Sequence, residues 1–487
     1  MRTNVKRNWA VASILALVGC GRTGSTLPPP GPVLPDAVLR WNAVALNAVV
    51  VDHTPVLVQL PNSGVPGANS GSQRGPNRTS RALAIIHAAM YDALNSIVQS
   101  NEPYLYTDVA PATASIEAAV AQAGHDTCVA SWPAQIASFD QALADDLAAI
   151  PDGASESDGI AVGAMAAAAI LADRASDGSA AEYPGNTAYT AGTLPGRHRP
   201  DPINPGQGFL TPTWGFVRPF AIPSVLPFQP ALPPALNSPE YTAAFNEVKS
   251  LGSDGVSFPT TRTALQTEIG TFWAYDGTAG LGVPPRLFNQ VTRTLSLQEG
   301  LTQIENAHLF ALVNFALADA AIACWYRKFT DNCWRPILGI RESDVGTGPS
   351  GLGDGNAATA GLTTWVPLGA PSSNTDANNF TPNFPSYTGG HPTFGGALFQ
   401  TLRRFFGTDA VSFTFTSDEF NGVTRENSAG SPRPLTPHSF SNFSAAEQEN
   451  ADSRVYLGIH WRFDETQGVL AGRGVANEIF DTMLQPK

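Results

Sequence analysis

The chain has 487 residues, 43% of them hydrophobic, enough to bury a substantial core in one large domain or two. Its 41 acidic residues outnumber its 28 lysines and arginines, and the formal net charge of −13 excludes a nucleic-acid binder that works through a broad basic surface. Any site for an anion must therefore be a local basic pocket in an acidic molecule.

Residues 1–20 read as an export signal. Arg2, Lys6 and Arg7 make a basic start, and Trp9 to Val18 make an apolar run too short for an ordinary spanning helix. Leu17-Val18-Gly19-Cys20 resembles the bacterial lipobox, in which the cysteine is lipidated and becomes the mature N-terminus. The expectation is an exported bacterial lipoprotein held at the periplasmic or extracellular face of the cell envelope through Cys20. A plain secretory signal with a chance cysteine is the blander alternative. Residues 21–36, with Pro28-Pro29-Pro30, read as a Pro-rich tether, and residues 37–487 as the folded domain.

Apolar spacing of three and four predicts helices at 37–52, 79–98, 114–129, 133–149, 157–176, 239–251, 261–275, 286–298, 300–327, 392–406 and 444–461. Strand-like alternation is scarce, so the fold class is all-α. Stretches rich in Pro, Gly, Ser and Asn at 59–78, 177–237 and 343–390 predict long loops of the kind that build or cover sites. Of the later apolar runs, 160–172 is too short to span a membrane, and 307–327 contains His308, Asn314 and Asp319. Contact with a membrane is therefore expected only through the lipid anchor. Cys128, Cys324 and Cys333 do not have the spacing of a metal knuckle. Three buried thiols, or one bridge and one thiol, both fit.

Three segments carry chemistry. Lysine occurs only at positions 6, 249, 328 and 487, so Lys328 within an apolar and aromatic stretch stands out. If the helix of 300–327 runs on, Lys328 and Arg335 are separated by about 340° and share a face, with Pro336 biasing Arg335 away from helical geometry. Gly389-Gly390-His391 precedes a helical run, so free amides and the positive end of a helix dipole gather beside a histidine able to act as acid or base. Arg454 is followed by His460 and Asp464, four residues apart, so that the carboxylate could orient the imidazole. Each has a blander reading: a surface pair at a helix end, a loop turn, a core histidine satisfied by a neighbour. Two arginines, a lysine and two histidines together suit a tetrahedral oxyanion.

In this order, Lys328 with Arg335-Pro336, Gly390-His391, then Ser453-Arg454 with His460 and Asp464 resemble the signature of the type-2 phosphatidic acid phosphatase and vanadium haloperoxidase superfamily. The likeness narrows toward the vanadium chloroperoxidase branch through Trp273-Ala274-Tyr275-Asp276-Gly277, Pro284 to Gln290, Trp334-Arg335-Pro336, Phe384-Pro385-Ser386-Tyr387 and Gly458 to Asp464. It covers most of the chain from residue 37 onward and is weakest at 177–237.

The resemblance implies two four-helix bundles, one orthovanadate cofactor, and oxidation of halide by hydrogen peroxide to hypohalous acid, with small organic acceptors. It gives His460 the role of metal ligand, with Asp464 behind it. Lys328, Arg335, Arg454 and the Gly390 amide would hold the equatorial oxygens, and Lys328 would also polarise the bound peroxide. His391 would be the acid–base group, oriented by Asp276, while Trp325 and Phe384 would stand near the halide. Relatives are often dimers, so a homodimer is implied. No fingerprint for haem or flavin is present.

The chain departs from the pattern at Gly389, where the superfamily has a serine whose hydroxyl meets an equatorial oxygen. The expectation at this level is that Gly389→Ser raises activity. Two rival functions share the pocket. One is a soluble phosphohydrolase in which His460 forms a phosphohistidine and His391 protonates the leaving oxygen. The other is a non-catalytic oxyanion-binding lipoprotein.

Overall fold

A computed structural model describes residues 36–54, 71–182, 189–427 and 429–487, so the expected signal, the Cys20 lipidation site and nearly all of the tether lie outside the described residues. The helices in chain order are α1 (Ala37–His53), α2 (Gly75–Val98), α3 (Ile116–Ser131), α4 (Ile136–Leu147), α5 (Ala154–Arg174), α6 (Pro239–Leu251) and α7 (Ala264–Phe272). They continue with α8 (Pro284–Glu299), α9 (Gln303–Asp331), α10 (Pro336–Glu342), α11 (Gly390–Phe406), α12 (Phe443–Tyr456) and α13 (Arg462–Thr482). The one sheet among the described residues is the antiparallel pair β1 (Phe413–Phe415) and β2 (His438–Phe440).

Local chemistry sets most helix starts. Asp36, Ser115, Ser238 and Asn442 each accept a hydrogen bond from an amide in the first turn of α1, α3, α6 and α12. Thr302 and Glu305 form a reciprocal capping box on α9. Each of the eleven segments expected to be helical overlaps a helix, 239–251 matching α6 in its limits and the others with at least one end shifted. Two helices were not anticipated. The seven residues of α10 are too few to show a period. In α13, Gly468, Gly472 and Gly474 dilute the helical signal, and tertiary packing overrides that weak propensity.

Helices α1, α2, α3 and α5 pack as one bundle with α4 against α3, and α9, α11, α12 and α13 pack as a second, joined to the first where α2 meets α9. The glycines of α13 make the second bundle tight. A Cβ at Gly472 would lie 2.0 Å from the Thr393 carbonyl oxygen, so the backbones of α11 and α13 approach more closely than any side chain there allows. This brings the N-terminal turns of the two helices together.

Helix α9 is the axle of the core, with nearly all of its residues between Asn306 and Trp325 buried. Its Asp319 is fully buried and accepts the amides of Phe220, Ala221 and Ile222, which fastens the long 177–237 loop across the bundle. Cys128, Cys324 and Cys333 are all buried free thiols, which decides between the two alternatives left by the sequence.

Candidate oxyanion site

The two arginines reach one pocket by turns rather than along one helix. Helix α9 stops at Asp331, where Asn332 adopts a left-handed conformation (φ 59°) and its amide donates to the Lys328 carbonyl. Arg335 is then extended (φ −80°, ψ 157°) at the N-cap of α10, as the following Pro336 favours. The shared helix face expected for Lys328 and Arg335 is therefore absent. The Arg335 side chain is fully buried: Nε donates to the Phe384 carbonyl at 2.9 Å, and Nη1 is 2.8 Å from both the Ile459 carbonyl and His460 Nε2.

His460 and Asp464 also meet without sharing a helix. Helix α12 ends at Tyr456 and α13 begins at Arg462, so His460 lies in the turn between them and Asp464 in the first turn of α13. One carboxylate oxygen, Oδ2, accepts the Trp461 amide at 3.0 Å, thereby capping α13, and faces His460 Nδ1 at 2.8 Å. It also accepts the Ser386 hydroxyl. With Nδ1–H spent on Asp464, the Nε2 lone pair accepts from Arg335 Nη1, the bond that a ligand at Nε2 would replace. Burial, followed by the charges of Arg335, Lys328 and Arg454, holds the imidazole pKa well below its usual value, so the ring is neutral. Burial also pushes Asp464 up to about 6, against the hydrogen bonds from Ser386 and the Trp461 amide.

Asp276 does not orient His391. Both of its oxygens lie 2.8 Å from Nη2 of Arg454, a guanidinium only 1% exposed that needs a counter-charge in this dry setting. His391 instead donates Nε2–H to the Ala274 carbonyl at 2.5 Å, which leaves the Nδ1 lone pair as its proton acceptor. Burial and the neighbouring Arg454 hold His391 well below the ordinary imidazole pKa.

Lys328 also differs from expectation. Its ammonium donates to the carbonyls of Pro385 and Ser386, each at 2.9 Å, and to that of Thr388. These bonds account for its three protons, so here Lys328 pins the 385–388 turn and contributes its charge rather than a free donor. Burial lowers its pKa to about 8. The ammonium lies 5.5 Å from the Trp325 ring centre and 5.0 Å from that of Phe384, and those two rings are 4.9 Å apart.

Gly390 opens α11, whose first amides have no partner within the helix. Before it, Gly389 has a steric reason to be glycine: a Cβ there would lie 2.6 Å from Pro392 Cγ and 3.1 Å from Glu465 Oε1. The expected benefit of Gly389→Ser therefore meets an obstacle. The substitution is expected to lower stability by about 1–3 kcal/mol, read as a lower denaturant midpoint, through overpacking against the proline ring.

Asp276, Trp325, Phe384, Gly390, His391, Arg454 and His460 all line one cavity of about 80 Å³. Around it, Nη2 of Arg335 and Nε and Nη1 of Arg454 are buried without a hydrogen-bond partner. Three unpartnered N–H-bearing atoms on two guanidinium groups, a neutral histidine and a helix N-terminus are a donor set that would fit a tetrahedral oxyanion. Sequence reasoning missed the roles of Ser386 and Glu465. Ser386 stands three positions before Gly389, outside the Gly-His motif, yet a turn brings its hydroxyl to Asp464. Glu465 adjoins a motif residue, but no spacing rule distinguishes it from a solvated glutamate.

The class defined by these features is a two-bundle helical protein with a buried oxyanion pocket. A family model described as the VCPO second helical-bundle domain matches residues 308–486. Vanadium chloroperoxidase of Curvularia inaequalis is 36% identical over 269 residues, and the match spans 48% of this chain and 42% of that protein. A bacterial vanadium-dependent iodoperoxidase structure matches with a TM-score of 0.70 at 21% identity, covering 93% of this chain and 98% of that one. A holo-type bacterial vanadium-dependent chloroperoxidase matches with a TM-score of 0.62 at 16% identity, covering 84% and 92%. Residues 308–486 are thus similar to the second helical bundle of vanadium chloroperoxidases, and the chain as a whole shares the fold of the solved vanadium-dependent haloperoxidases.

Proposed function

We propose that this protein is a vanadate-dependent haloperoxidase that oxidises halide with hydrogen peroxide to hypohalous acid. The observation that carries the reading is His460, its ring oriented by Asp464 and its Nε2 met by Arg335 Nη1, set beside two arginines that still carry unpartnered nitrogens. His460 would be the ligand, with Arg335, Arg454 and the Gly390 amide around the oxygens. Bound vanadate would supply a Lewis acid that activates peroxide without changing its own oxidation state.

The remaining work falls to the chain. Arg335 and Arg454 stabilise charge that collects on oxygen, and they are effective because the pocket is buried. His391, neutral and lining the cavity, accepts a proton from entering peroxide at Nδ1. Trp325 and Phe384 form an apolar wall suited to a large, weakly hydrated halide, and the nearby Lys328 ammonium offsets its charge. Small organic acceptors would receive the oxidised halogen. Export, an anchor at Cys20 and a homodimer belong to the same proposal on sequence grounds, and membrane fractionation and light scattering test them.

Purified protein given orthovanadate, hydrogen peroxide and either bromide or chloride is expected to halogenate an acceptor dye only when all three are present. Hydrolysis of a phosphate monoester without any vanadate-dependent turnover would instead make the protein a phosphohydrolase on this scaffold. If neither reaction occurs but vanadate raises the melting temperature, the oxyanion binder stands.

A further inference from the structure

The space around Gly389 is filled by something other than a serine. Glu465, in the first turn of α13, brings Oε1 to 3.1 Å from where a Cβ on residue 389 would stand and to 3.8 Å from His460 Nδ1. The residue is 1% exposed, and neither carboxyl oxygen has a hydrogen-bond partner. A buried, unpartnered carboxyl is unfavourable, and where a native fold keeps one the group calls for a specific explanation such as a ligand. Close enough to act on it electrostatically, Arg335 and Arg454 carry unpartnered guanidinium nitrogens, donors in want of an acceptor. The carboxyl has the complementary need.

We propose that Glu465 takes over the serine's part, binding one oxygen of the oxyanion through a single proton shared between its carboxyl and that oxygen. The inference rests on the vanadate-site reading above. The contact holds whichever partner brings the proton: an acid O–H donates to a bare oxygen, and a carboxylate accepts from a protonated one. The close backbone packing of α11 and α13 sets the distance, so Gly389 and Glu465 act as a matched pair. A side chain at 389 would press on the carboxyl, and without the carboxyl the glycine would leave the oxygen without a side-chain partner.

Glutamine provides the test because its amide offers both a donor and an acceptor in nearly the same volume, whereas alanine offers neither. Calorimetric titration with orthovanadate, and separately with inorganic phosphate, needs no peroxide or halide and so reads binding alone. Glu465→Gln is expected to bind both anions within about threefold of the wild type, and Glu465→Ala to bind them about tenfold more weakly or worse. Neither variant should lower the melting temperature of the anion-free protein, because each removes an unpartnered buried carboxyl. Wild-type affinity in Glu465→Ala would overturn the proposal and leave the vanadate site standing. Equal losses in both variants with a lowered melting temperature would also overturn it, by making Glu465 a packing residue. A wild type that binds neither anion would instead overturn the site reading itself.

Discussion

Replacing His460 with alanine is expected to abolish vanadate binding and every vanadate-dependent turnover, while the protein still folds. The imidazole is 2% exposed and lines the cavity, its Nδ1–H is held by Asp464 at 2.8 Å, and its Nε2 accepts from Arg335 Nη1 at 2.8 Å. Outer partners of a metal-bound histidine alone are worth 10–100-fold in affinity, so losing the ligand itself should weaken vanadate binding by more than about a hundredfold. The variant also leaves Asp464 and Arg335 Nη1 each short of one partner, for a stability loss of about 1–3 kcal/mol. Each of the two keeps other bonds, Asp464 to the Trp461 amide and Ser386, and Arg335 to the Ile459 carbonyl. Titration with vanadate and the halogenation assay check the result. Full activity in His460→Ala would move the metal ligand elsewhere. The cluster of ligand-capable groups at this site among the described residues, His460, Asp464 and Glu465, offers no second histidine to take its place.

The identity of the pocket was legible because its cationic and imidazole groups are rare residues in fixed order. Four lysines in the chain make Lys328 conspicuous, and His460 with Asp464 reads directly as an oriented base. The geometry was not legible, because it depends on where helices stop. Sequence placed Lys328 and Arg335 on one helix, whereas Asn332 ends α9 and leaves Arg335 to cap α10. The spacing of four between His460 and Asp464 would put them on one helix face only if α12 ran on, whereas a turn separates α12 from α13 and the contact arises from capping. Partners distant in sequence were still harder to read. Asp276 could not be assigned to Arg454 over His391, since that choice is made by the burial of a guanidinium 178 residues away. The two-bundle architecture followed from the resemblance, while the α11 to α13 contact that brings Gly389 against Glu465 rests on glycines that lower the helical signal.

That pairing of Asp276 with Arg454 makes a second strong expectation. Asp276→Asn is expected to destabilise the anion-free protein by about 3–5 kcal/mol, since breaking a buried ion pair leaves a desolvated guanidinium without its counter-charge. The geometry supports a value in this range: both carboxylate oxygens lie 2.8 Å from Nη2, and Nε and Nη1 of the same arginine already lack partners. Burial pushes the Asp276 pKa upward while Arg454 opposes the shift, as for a carboxylate whose charge depends on that arginine. An oxyanion can supply the missing charge. Vanadate should therefore bind more tightly to Asp276→Asn than to the wild type, because a carboxylate lining the same cavity no longer competes for Arg454. At a hundred times its Kd, the ligand should return about 2.7 kcal/mol of the lost stability. Chemical denaturation with and without vanadate, together with the Kd, checks both halves. If the variant keeps wild-type stability and binding but loses halide oxidation, Asp276 would act through His391 after all. Weaker vanadate binding would mean that the carboxylate aims the guanidinium at the anion rather than competing with it.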